Sequence, residues 1–435
     1  MIKQKEYAKR RTQLMEIAGQ GGVIILRSAT QKFRNNDASY PYRQDSDFLY
    51  LSGLNEPESM IVLLPEGDQG RSLLFCRERD SHREMWDGGM VGLEGAVEQF
   101  GFDEAYPINE MKKRLPRLLH GCERVHYDLG KDPEFDHLLI GWMNEFRAKT
   151  RKKYQAPDEI IALNHSLHEM RLFKSRTEIA AMRKSARVAA SAHRRAMRVC
   201  EPGMNEAEIH AELLYTFIRN QCEASYIPIV GGGANACVLH YIGNRDELKD
   251  GDMLLIDAGA EYDGYASDIT RTFPVNGTFS GPQRDLYQVV LAAQLKAIDE
   301  VREGNPWGQV HETAVQVATA GMIDLGIIKG GLDEALDEEY FNDYYVHNTG
   351  HWLGLDVHDV GEYEIDGHSR VLEPGMVLTV EPGIYIPPSA TAVDEKWRGM
   401  GIRIEDNVVV TRKEADVLTT DICKTVDEIE ALMAS

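Results

Sequence analysis

MLLIDAGAEYDGYASDITRTFPV, residues Met253 to Val275, reads as two short strands joined at Asp263-Gly264, a dipeptide that favours the positive backbone angles of a tight hairpin turn. A two-residue loop there sets Tyr262 opposite Tyr265 and Asp257 opposite Thr270. Asp268 lies two residues from Thr270, so its side chain shares a face with that of Asp257. Diagonal neighbours of this kind sit about 7–8 Å apart, within reach of one shared cation. Leu254, Leu255, Ile256, Ile269 and Phe273 surround the two acids, which argues against a pair of solvated surface carboxylates. Alone, the stretch remains compatible with a plain hairpin carrying acids near its turn.

The rest of the chain narrows the choice. With 435 residues it exceeds one ordinary core, and two domains are expected. Acidic residues number 70 against 48 basic ones, a net charge of −22, so the average surface repels a nucleic-acid backbone. Cys76, Cys122, Cys200, Cys222, Cys237 and Cys423 form no paired motif, which argues against a disulfide framework or a thiolate zinc site. The polar start MIKQKEYAKRRTQLMEIAG has no apolar signal core, and no run approaches the ~20 residues of a membrane span. A cytoplasmic protein is the expectation.

In the first part, a helix over Lys3–Ala18 and strands at Val23–Leu26, Met60–Leu64, Leu73–Cys76 and Arg124–Tyr127 alternate with helical stretches at Gly95–Phe100, Ile108–Leu119 and Asp136–Arg147. That alternation predicts an α/β domain with a mixed or parallel sheet. Trp86, in the Gly-flanked segment EMWDGGM, reads as a packing anchor in a loop. The basic stretch Arg147–Lys153 before Ala156-Pro157 reads as a boundary. Beyond it, helices are expected over Thr177–Val199, Asn205–Asn220, Gln283–Glu303 and Gln309–Leu325. Gly231-Gly232-Gly233 lacks the Lys-Ser/Thr of a phosphate loop and reads as a turn. His240 falls in an apolar run, Ala236–Ile242, read as a strand. The acidic stretch Asp333–Asp343 reads as a solvated helix face.

Three histidines then crowd VHNTGHWLGLDVHD, at positions His347, His351 and His358. Gly350 and Gly354 make a zinc-binding helix improbable, yet buried imidazoles need partners. The strongest internal signal is a repeat: GDMLLIDAG at 251–259 returns as GMVLTVEPG at 375–383. Each has an acid six residues after the first glycine, Asp257 and then Glu381. The second unit continues in GIRIEDNVVV, 401–410, whose alternation sends Arg403 and Glu405 to one face. Two hairpins thus offer one acid per strand. Four carboxylates with imidazole and no thiolate form a ligand set for two divalent cations, Mn²⁺, Co²⁺, Fe²⁺ or Zn²⁺. Such a pair can hold a bridging hydroxide and polarise a carbonyl, which points to amide or ester hydrolysis.

These segments, with RQDSDFLYLSGL at 43–54 and MRLFKS at 170–175, resemble the pita-bread metallopeptidases (peptidase family M24) and, within them, the aminopeptidase P family, the Xaa-Pro aminopeptidases. The resemblance implies an α/β (α+β) protein with a creatinase-like domain over 1–172 and a pita-bread catalytic domain over 173–435. It implies two metal ions, often Mn²⁺, on Asp257, Asp268, His351, Glu381 and Glu405, with Asp268 and Glu405 bridging. It sets His240, His347 and His358 near substrate, with Tyr385 and Arg403 as further pocket residues. Glu381 would shuttle the proton and His358 steady the oxyanion. By the same resemblance Trp86 closes the site of a neighbouring subunit in a homotetramer or homodimer, which replaces the packing-anchor reading, and Arg151 is a second such residue. The segment EYEIDGHSR, 362–370, differs from the family in length, leaving His368 or Arg370 for its basic position. The loop GGMVG, 88–92, lacks the arginines common there. Peptides with proline second are the implied substrates. Prolidase, which takes Xaa-Pro dipeptides, and a non-catalytic peptide-binding module are the rival readings.

Overall fold

Apolar runs without alternation, such as Val23–Leu26 and Met60–Leu64, belong in strands covered on both faces, and both lie at the centre of a sheet. The computed structural model describes residues 2–67, 69–149 and 155–435. The chain divides into two compact units, Met1–Met170 and Arg171–Ser435.

The first unit is built on a six-stranded mixed sheet. Its strands run in the order Glu104–Pro107, Arg71–Cys76, Met60–Leu64, Gly22–Arg27, Arg124–His126 and Glu159–Ile161. The central pairs are antiparallel and the outer ones parallel. Helices Met111–Leu119 and Pro133–Ala148 contribute Leu115, Leu119, Phe135 and Leu139 to the core beside it. Residues 150–153 of the expected boundary lie outside the described residues. The unit itself does not end there, because Glu159–Ile161 adds a strand to the sheet beside Arg124–His126. Trp86 sits on a helix, Ser81–Asp87, capped by the Asp80 carboxylate, and not in a loop. It is 79% exposed, so it anchors no packing within this chain.

In the second unit, long helices Arg176–Val199, Glu206–Arg219, Gly281–Asp299 and Trp307–Asp324 surround the hairpins. Ser175 with Glu178, and Asn205 with Glu208, form reciprocal capping boxes that fix two of the helix starts. The acidic stretch is shorter in helix than expected, with α-helix over Leu332–Asp337 and a 3-10 turn over Tyr340–Asp343.

The opening hairpin keeps one register throughout. Asp257 pairs with Thr270, and Tyr262 with Tyr265. Asp263 and Gly264 make the turn with φ of 56° and 83°. Its ladder is interrupted midway, where Gly259 lies so close to Ser267 that an added Cβ would fall 1.7 Å from the Ser267 carbonyl oxygen. The second hairpin is interrupted in the same way. Val377–Val380 pairs with Asp406–Val409, and Gly383–Ile386 with Met400–Arg403, in a register that sets Glu381 across from Glu405 in the gap. Breaks in both ladders free the acids beside them to turn into a shared space.

Two expectations around 231–242 fail. Gly231 and Gly232 lie in a strand, Ile229–Gly232, paired with Leu255 and Leu254. Ala236–Ile242 is not a strand: a 3-10 helix over Gly233–Cys237 is followed by a turn. The reason is tertiary, since the Ala236 carbonyl packs against Gly401, where a Cβ would approach it to 2.1 Å. Among the described residues, no helix is long and apolar enough to cross a membrane.

Candidate metal centre

The hairpins meet along their return strands. Glu405 N–H donates to the Thr270 carbonyl at 3.1 Å, and Asp268 N–H to Asn407 Oδ1 at 3.0 Å. Behind this seam Arg271, fully buried, donates to the carbonyls of Thr270 and Glu405 and to Asp406 Oδ1. Lys424 and Gln294 donate to the other Asp406 oxygen. One guanidinium–carboxylate pair therefore ties the two acid-bearing strands together.

In front of the seam the five acid and histidine positions converge. His351 Nε2 lies 3.4 Å from Asp268 Oδ2 and 3.3 Å from Glu381 Oε1. Its Nδ1 donates to the Trp352 carbonyl at 2.9 Å, which directs Nε2 at the carboxylates. Asp268, His351 and Glu405 each offer a ligand atom, all within 4.8 Å of one another. Tyr226 lends its hydroxyl to both Asp257 Oδ1 and Asp268 Oδ1. Arg403 donates to Asp257 Oδ2 at 2.5 Å and to the Tyr385 hydroxyl at 2.8 Å. That hydroxyl is 2.8 Å from His347 Nε2. His358 stacks edge-on to His351 with ring centroids 4.4 Å apart.

The electrostatics are those of an anionic pocket. Burial, only partly offset by Arg403, raises the Asp257 carboxyl to about 6. Burial, only partly offset by the nearby His351 charge, raises Glu381 to about 7. Glu405 is pushed well above the carboxylate range by burial and by Asp268, Glu381 and Asp257 around it. Asp268 runs the other way: burial would raise it, but the His351 and Tyr226 hydrogen bonds and Arg403 together lower it. Burial likewise opposes charge on His351, yet Asp268 and Glu381 draw its pKa up to about 9. His347 falls to about 4 through burial and the facing Arg403. His358 is lowered by burial and by His351.

This donor set fits divalent cations. Its donors are hard carboxylate oxygens and one imidazole nitrogen, and Glu405 Oε1 is buried with no hydrogen-bond partner among the described residues. Carboxylates this reluctant to ionise are stabilised by positive charge brought among them.

The other expected residues divide. His240 is exposed on its turn, near enough for its charge to depress both His347 and His358. Arg370 is buried, with its guanidinium over Phe173 and its backbone tied to Trp307 and Tyr363. His368 lies on an exposed two-stranded ribbon, opposite Ile365. Arg151 lies outside the described residues. Three residues escaped the sequence reading as site elements: Tyr226, Thr270 with its hydroxyl on Glu405, and Thr379 with its hydroxyl on Glu381. Thr270 and Thr379 were legible only as strand residues; Tyr226 stands in no repeat and gave no signal. The shared registers also show that the halves are not equivalent. Asp257 and Glu381 correspond, but Thr270 stands where Glu405 stands, and Arg403 occupies the place matching Asp268.

Residues 180–412 match metallopeptidase family M24, and residues 7–127 match the aminopeptidase P N-terminal domain. The chain is 43% identical to Xaa-Pro aminopeptidase of Escherichia coli K12, over 100% of this chain and 98% of that protein. It superposes on the structure of Pseudomonas aeruginosa aminopeptidase PepP with a TM-score of 0.98 at 51% identity, covering 100% of this chain and 98% of the other. On zinc-substituted E. coli aminopeptidase P in complex with product, the TM-score is 0.97 at 43% identity, with the same coverage. With its doubled hairpin gathering carboxylates and an imidazole, the chain belongs to metallopeptidase family M24, with the N-terminal domain of the aminopeptidase P enzymes.

Proposed function

We propose that this enzyme is an Xaa-Pro aminopeptidase, removing the first residue from peptides with proline second. The convergence of His351 on Asp268 and Glu381, beside a Glu405 oxygen with no other partner, carries the reading. The family membership and the activity named for its E. coli relative support it. Asp257, Asp268, His351, Glu381 and Glu405 would hold two divalent ions, with Asp268 and Glu405 shared between them. Mn²⁺ is the proposed metal, and Co²⁺, Zn²⁺ or Fe²⁺ suit the same donors. Such ions supply an activated water and polarise the scissile carbonyl when bound.

The chain's own groups do the rest. Glu381 would take the proton released on attack and return it to the departing proline nitrogen. His358, its pKa lowered by burial and by His351, donates its N–H to the oxyanion that develops on the attacked carbonyl. His347, Tyr385 and Arg403 form a hydrogen-bonded wall that orients the substrate backbone, with His240 at its rim. Trp86, largely exposed here, is proposed with Arg151 to complete a neighbouring copy's site in a homotetramer or homodimer. A cytoplasmic location is part of the same proposal.

The test compares Xaa-Pro-Yaa tripeptides with Xaa-Pro dipeptides. Efficient release of the first residue from tripeptides is expected, and turnover confined to dipeptides would assign prolidase activity instead. A purified protein that binds no divalent metal would favour the non-catalytic binding module.

A further inference from the structure

In each hairpin a fully buried threonine turns its hydroxyl toward a glutamate, in a single possible orientation. Thr270 Oγ1 accepts Arg403 Nε–H at 3.0 Å, so its own proton can only go forward, to Glu405 Oε2 at 2.7 Å. Thr379 Oγ1 accepts the backbone N–H of His351 at 3.0 Å and donates to Glu381 Oε1, also at 3.0 Å. A hydroxyl has one proton to give, and in both cases a fixed N–H donor occupies the acceptor side. The two hydroxyls are therefore one-way donors, each aimed at one oxygen of a glutamate. Without them either carboxylate can rotate about its last side-chain torsion, which is broad and roughly two-fold. With them, Glu405 is left with Oε1 buried and unpaired.

We propose that Thr270 and Thr379 are positioning residues that set the rotation of Glu405 and Glu381, fixing which carboxylate oxygens are presented to a bound cation. Thr379 also links two metal-facing groups, because it holds the His351 backbone and the Glu381 carboxylate with one oxygen. The inference rests on the metallopeptidase reading. Valine keeps the volume and branching of threonine, and with them the strand, but removes the donor; serine keeps the donor and loses a methyl.

The experiment uses the full-length enzyme, stripped with chelator and titrated with Mn²⁺ while free Mn²⁺ is followed by electron paramagnetic resonance. The metal-free melting temperature of each variant is recorded alongside. Thr270→Val and Thr379→Val should each weaken Mn²⁺ binding about 10–100-fold, the range expected for partners of metal-ligating groups. Thr270→Ser and Thr379→Ser should stay within a few-fold of wild type. A purely structural role would lower the metal-free melting temperature and leave affinity unmoved. Valine variants that bind Mn²⁺ as wild type does, or serine variants as weak as valine, would overturn the proposal. Wild-type protein that binds no Mn²⁺ would instead overturn the metallopeptidase reading, and this inference with it.

Discussion

Glu405 shows how much a single side chain reports. It is 1% exposed, with one oxygen on Thr270 and the other without a hydrogen-bond partner among the described residues, an arrangement that costs stability unless a cation completes it. Replacing Glu405 or Asp268 by alanine is expected to abolish metal loading and turnover together, read by elemental analysis and peptide hydrolysis. Either variant retaining full activity with bound metal would sink the ligand assignment. Tyr226 is the second test at this scale. Its hydroxyl bridges Asp257 and Asp268, so Tyr226→Phe should weaken metal binding by about 10–100-fold while leaving the fold intact, measured by chelator competition. Asp257 and Glu381 were legible in the sequence because they recur at matching places in a repeat, and Asp268 and Glu405 because strand alternation sets each on a definite face. Tyr226 was not, because one tyrosine before a strand looks like any other and only the folded chain brings it to the acids.

At the scale of elements, the register of the opening hairpin was readable from Asp263-Gly264, and the pairing of Asp257 with Thr270 follows it. The breaks in the ladders were not readable. They depend on contacts across the hairpin, such as Gly259 against the Ser267 carbonyl. Gly259→Ala should therefore force the strands apart and destabilise the catalytic unit by about 3 kcal/mol, seen in denaturant unfolding. A stability loss below ~0.5 kcal/mol would show that the close approach is relieved easily. His240 illustrates the opposite failure. The run Ala236–Ile242 has strand composition, but packing of Ala236 against Gly401 turns it into a 3-10 segment and puts His240 on the turn that follows. Composition of a short apolar run does not encode which neighbour it will meet.

For the whole molecule, each unit owns a separate buried core, and among the described residues the candidate metal centre lies in the second. Chelation should accordingly lower the unfolding temperature of the catalytic unit while leaving that of the first unchanged, resolved by calorimetry; an ion present at ~100 times its dissociation constant contributes about 2.7 kcal/mol. A buried cluster within the catalytic unit adds a pH dependence. Asp359 accepts from Arg171 at 2.6 Å and Lys174 at 2.9 Å. Burial opposes its charge, but the two cations hold its pKa below the ordinary aspartate range. Because the folded value is the lower one, the stabilisation is present above pH ~4, the unfolded aspartate value, and is lost as pH falls through the folded pKa. Asp359→Asn should cost about 3 kcal/mol near neutrality and flatten that acid limb, read as melting temperature against pH.

The mismatch between the two hairpin registers has a consequence for how the centre fills. An arginine occupies, in one half, the place that a carboxylate takes in the other, so the repulsion met by an incoming dication differs between the halves. On the two-ion proposal the berths are unequal in kind, and occupancy should rise as a staircase, the berth farther from Arg403 filling first and the other only at higher free concentration.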